Sequence, residues 1–113
     1  MSMGSMEGPF DAMLRRGREI ASERRGIEGA AANAIKYLVG QIPDLREERH
    51  TEALGTMVRS LLTDTSPDVP SRLIESTLVH HVGSYIRKQQ VEDPESAISA
   101  FSRAFEENLR RDD

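Results

Sequence analysis

Apolar residues recur three and four positions apart along most of this chain, and no segment alternates one apolar residue with one polar. A 3.6-residue period gathers such positions on one side of a helix, whereas alternation would mark a strand. The pattern therefore predicts an all-α protein, a compact bundle or orthogonal array of about five short amphipathic helices. The first is expected to begin near Pro9, whose fixed φ suits an opening helical turn. Phe10, Met13, Leu14, Ile20 and Ala21 form its stripe, with Gly17 on the same side. Arg24 would interrupt that stripe if the helix ran on, so a break is expected around Arg25-Gly26, with Gly29 close by. A second helix follows through "GAAANAIKYLVGQI", burying Ala31, Ala34, Ile35, Leu38, Val39 and Ile42 and ended by Gly40 and Pro43.

Asp44, with Glu47 three residues on, has the spacing of a capping box and is expected to open the third helix. Its stripe is Leu54, Met57, Val58, Leu61 and Leu62. The two prolines of "TDTSPDVPS" (Thr63 to Ser71) mark a loop, and its Ser66-Pro67 reads as an ordinary turn. A fourth helix, from about Pro70 to Gln90, carries Leu73, Ile74, Leu78, Val82, Tyr85 and Ile86. Asp93-Pro94-Glu95 is the strongest local signal: a capping carboxylate, proline at the first position and an acid in the first turn. The last helix shows Ala97, Ile98, Phe101, Ala104, Phe105 and Leu109, with Arg110 and Arg111 at its negative end. Residues 1–7 are expected to form a flexible leader and 8–113 a single helical domain.

Composition narrows the picture. A length of 113 residues suits one core. Three Phe, two Tyr and no Trp leave that core to aliphatic side chains and Ala, which suits helix-on-helix packing. The absence of cysteine excludes a disulfide scaffold, a Cys-ligated zinc site and thiol catalysis. No apolar run approaches the ~20 residues that span a bilayer. The start "MSMGSMEGPF" has no basic segment leading into an apolar one, so a cytoplasmic protein is expected.

Two adjacent histidines lie in "TLVHHVGSYI", the most apolar stretch. On a helix, neighbours point about 100° apart, so His80 and His81 do not readily share one metal ion. Positions 76, 77, 84 and 85 are Ser, Thr, Ser and Tyr and add no second ligand of the usual kind. His81 instead falls on the stripe of Ile74, Leu78, Val82 and Tyr85, as a packing or partner-facing imidazole whose protonation would weaken an interface. Glu47 and His50 have the Glu-x-x-His spacing of di-iron bundles. The chain has no second copy of that pair, and "LREERHTE" reads as a solvated helix start. No P-loop, Gly-x-Gly-x-x-Gly or Gly-x-Ser-x-Gly is present. Neither an enzyme nor a metal or other cofactor is expected.

The remaining function is protein–protein interaction, as a regulator, adaptor or assembly subunit. The expected contact face lies on the last two helices, made by Ile74, Leu78, His81, Val82, Tyr85, Ile86, Ile98, Phe101 and Phe105, and would serve a protein partner or a homodimer. The alternative is a nucleic-acid-associated regulator using Arg15, Arg16, Arg18, Arg24 and Arg25 of "RRGREIASERR". A formal net charge of −4 weighs against that alternative, since phosphate contacts need a basic surface.

Overall fold

Four α-helices and one short 3-10 turn account for the architecture in a computed structural model, which describes residues 8–111. Helix α1 spans Pro9–Gln41, α2 Glu48–Asp64, α3 Ser71–Lys88 and α4 Pro94–Arg111, and Pro43–Leu45 forms the 3-10 turn. No strand occurs among the described residues. The expected leader, residues 1–7, lies outside them.

The expected fifth helix does not exist as a separate element, because α1 passes through Arg25-Gly26 without a break. Arg24 removes the need for one. Its guanidinium donates to the carbonyls of Leu62 (3.3 Å), Thr65 (3.0 Å) and Ser66 (2.7 Å), where α2 ends. A cation on those carbonyls meets the negative end of the α2 dipole and satisfies acceptors left open by the helix terminus. An arginine on the inner side of α1 is thus a cap for its neighbour. Gly26 and Gly29 each weaken a helix by up to about 1 kcal/mol, which packing of the following turns outweighs.

The start of α2 also differs from the sequence pattern. Pro43–Leu45 winds into the 3-10 turn, α2 begins at Glu48, and Glu47 in the cap position makes no side-chain capping bond. The Asp44 carboxylate instead accepts the backbone N–H of Glu92 (3.1 Å), tying this corner to the α3–α4 connection. Asp93 behaves as its motif requires. Its Oδ1 accepts the N–H of Ser96 at 3.1 Å, and Pro94 opens α4.

Around the core, α1 packs on α4 and α2, and α3 packs on α4 and α2, so each helix touches two others extensively. The buried side of α1 begins at Ile27 and continues through Ala30, Ala31, Ala34, Ile35 and Leu38. Small residues at three of these positions allow α4 to come close. Phe101 and Phe105 of α4 stack at 5.8 Å between ring centroids, both buried. Ile74, Leu78, Val82 and Ile86 of α3 meet them in the same core.

The partner-facing seam expected on α3 and α4 is therefore largely used up inside the chain. Ile74, Leu78, Val82, Ile86, Phe101 and Phe105 are sealed in the core, and Tyr85 and Ile98 pack partly buried against it. His81 is exposed and does not belong to the buried stripe. Helix α3 turns the 78–82–86 line inward, which leaves position 81 on the outside.

Candidate interaction surface

Helix α1 is much longer than its neighbours, with 33 residues against 17 or 18. Its C-terminal part is held by the bundle and its N-terminal part is not. The boundary is sharp. Ser71 Oγ donates to Glu23 Oε2 (2.9 Å), Arg24 caps α2, and Ile27 is the first fully buried side chain. Before these anchors, residues 9–22 extend as an arm about 20 Å long. Its helical state needs no nucleus of its own, because it propagates from turns already fixed by the core. Pro9 at the first helical position and Asp11 in the first turn favour its free end.

The arm keeps an apolar stripe that nothing among the described residues covers. Phe10 is 65% exposed, Met13 63% and Leu14 46%. Leucine or phenylalanine standing singly in water is ordinary, but three within five residues on one projecting helix form a patch. A Cβ at Gly17, in the same stripe, would meet no atom within 4 Å.

Charge borders the stripe. At about 100° per residue, Arg18 and Arg25 lie beside Leu14 and Ala21, Arg15 lies further round, and Arg16 lies beyond Ile20 on the other edge. Arg16 pairs with Glu19 at 3.3 Å, with both side chains more than half exposed, a contact worth little in water. The five arginines of the nucleic-acid alternative are thus not gathered into one patch, and Arg24 is turned into the body.

Beyond the anchors, the same side of α1 meets a groove against α2. Ala32, Ile35, Lys36, Glu52, Gly55 and Arg59 are among its lining residues, and it encloses about 590 Å³. Glu28 and Val58 line a smaller recess of about 110 Å³ that shares Ala32, Ile35, Gly55 and Arg59 with it.

The histidines sort differently from the sequence reading. His80 and His81 are both exposed, with ring centroids 6.0 Å apart. His50, expected at a solvated helix start, is 2% exposed. Its Nδ1 shares a 2.8 Å hydrogen bond with Tyr85 Oη, and the rings meet edge to face. Beside it, Arg49 Nε donates to Glu47 Oε2 (3.0 Å), which holds the Glu47 carboxyl below the usual range. Glu75, in the α3–α4 groove with Glu106, is shifted up by burial, opposed by Arg72 and assisted by Glu106. No group of three His, Asp or Glu side chains suited to a metal ion occurs among the described residues. No helix among them is long and apolar enough to cross a membrane.

Comparison with protein-family models, curated proteins and solved structures yields no match for this chain.

Proposed function

We propose that this is a small non-enzymatic cytoplasmic protein that works by binding a helix of another protein chain, as a regulator, adaptor or assembly subunit. The α1 arm is its contact element. One observation carries the reading: Phe10, Met13 and Leu14 stand uncovered within five residues of a projecting helix, while the exposed large apolar side chains of the body, Tyr37 and Leu73, stand singly on different helices. An amphipathic helix of this kind is a common element of helix-in-groove and helix-pair recognition. The apolar contact thereby moves from α3 and α4, where the seam serves the core, to the start of α1.

A photo-crosslinking side chain at position 14 tests this in the native cell, with position 99 on the exposed side of α4 as control. Covalent protein adducts are expected from position 14 and not from position 99. Equal yields from both, or none from either, would count against an interaction role for the arm.

A further inference from the structure

The uncovered stripe and the α1–α2 groove are complementary and lie end to end on the same side of one helix. Phe10, Leu14, Gly17 and Ala21 of the arm fall within about 60° of arc, and Ala32 and Ile35 of the groove fall within the same arc. A helix that carries a ridge followed by a groove on one face is self-complementary under a two-fold rotation. Turned antiparallel, each copy lays its ridge in the groove of the other. We propose that this face takes a second copy of the chain, pairing α1 with α1 antiparallel so that each arm fills the partner's α1–α2 groove. The proposal rests on the arm being an interaction element and adds what occupies it.

The register follows from the spacing. Setting the large Leu14 of the ridge against the small Ala32 of the groove puts the two-fold close to position 23. Each position then faces the one that sums with it to about 46. Leu14 meets Ala32, where a small side chain leaves room for a large one. Arg18 meets Glu28, and the symmetry makes that pair twice. Both side chains are exposed, and no ion pair or hydrogen bond engages either among the described residues. The groove lining carries Glu52 together with the cations Lys36 and Arg59, so the charge match rests on the Arg18–Glu28 pair.

Area favours this pairing over the simpler contact of arm on arm. Phe10, Met13 and Leu14 alone offer roughly 350 Å² of exposed surface, less than half of the ~800 Å² per partner in a typical stable interface. Pairing over positions 9–36 extends the contact to about 40 Å of helix and adds the groove walls, which brings it near that size. A lipid surface suits the arm less well. The chain carries a net charge of −4, and Asp11, Glu19 and Glu23 lie among the arginines.

Sedimentation and crosslinking of the full chain decide the matter, and the lack of native cysteine makes single-cysteine variants clean probes. Twice the chain mass of 12.6 kDa is expected at micromolar concentration. Leu14→Asp should give monomer with an unchanged circular dichroism spectrum. Leu14→Cys chains mixed with Ala32→Cys chains should crosslink as a mixed pair through a short bismaleimide. In this pairing the two copies of position 14 lie about 27 Å apart, as do the two copies of position 32, so neither variant alone should crosslink. Arg18→Glu and Glu28→Arg should each weaken the dimer about tenfold, and the double exchange should restore it. A monomer at 100 µM, a dimer indifferent to Leu14→Asp, or single charge reversals without effect would overturn the pairing. If position 14 crosslinks in the cell to a different protein and not to this chain, the arm keeps its interaction role and the second copy is ruled out. If it crosslinks to nothing, the interaction role itself fails.

Discussion

One helix contains two regions with the same apolar period and opposite surroundings. From Ile27 to Leu38, α1 buries every inward apolar residue against α2 and α4. From Phe10 to Ala21, residues of similar character recur at similar spacing, yet Phe10, Met13 and Leu14 are exposed and Ile20 is only half-buried among the described residues. The difference teaches that periodicity reports a helix with an apolar side, not what covers that side. Burial of the second half is a property of the helices that reach it, and they end level with Glu23 and Arg24, where α2 stops and α3 starts.

The largest expected effect contrasts the two regions directly. Phe101→Ala removes a fully buried ring stacked on Phe105 and should destabilise the fold by about 3–5 kcal/mol, measured by urea unfolding. Phe10→Ala, in dilute protein, should change it by no more than about 0.5 kcal/mol, because the ring already stands in water. Comparable losses at the two sites would mean that the arm folds back on the body, and the contrast would collapse.

Much of the body was legible in the sequence, for identifiable reasons. Asp93-Pro94-Glu95 places a helix start by local chemistry alone, and Ser96 donates to Asp93 as that motif requires. The lines 74–78–82–86 and 101–105 are buried as their spacing implied, although their period gave no sign that the covering surface was the chain itself. Two misreadings share a cause. Arg24 reads as a stripe breaker and His50 as part of a solvated helix start when only sequence neighbours count. Their partners are about 40 and 35 residues away, on α2 and its following loop and on α3. His50 did carry a usable signal, since the line of Val58 and Leu54 extended back one turn arrives at it. The arm carried none: an uncovered stripe and a covered one have the same period.

Arg24 sharpens the comparison at the boundary. Arg24→Ala leaves three carbonyls at the end of α2 without their donor and should destabilise the body by about 1.5–3 kcal/mol in thermal or urea unfolding. Arg24→Lys should recover only part of the loss, because a point-like ammonium does not reproduce the fork of a guanidinium. Full recovery would mean that charge near the helix end suffices and the three directed bonds do not matter.

Glu75 gives the smallest effect and a direction that is easily checked. It lines the cleft at the root of the arm, with Glu23 of α1, Ser71 of α3 and Arg110 of α4. Arg72 lies on its own helix and Glu106 across the groove on α4. Burial first, with Glu106 in addition, raises its carboxyl above the ordinary 4.5 despite Arg72. Above the unfolded value the native chain then holds more proton than the unfolded one, so this residue's contribution to stability falls as pH rises through the folded value. Glu75→Gln removes the charge and keeps the shape. It should therefore melt slightly above the natural protein at pH 7, by a fraction of the Arg24 effect, and level with it well below pH 4.5, where the natural carboxyl is protonated in both the folded and the unfolded chain. A Glu75→Gln variant less stable at pH 7 would mean that attraction to Arg72, and to Arg110 in the same cleft, outweighs desolvation. The root of the arm would then be held partly by charge and not by packing alone.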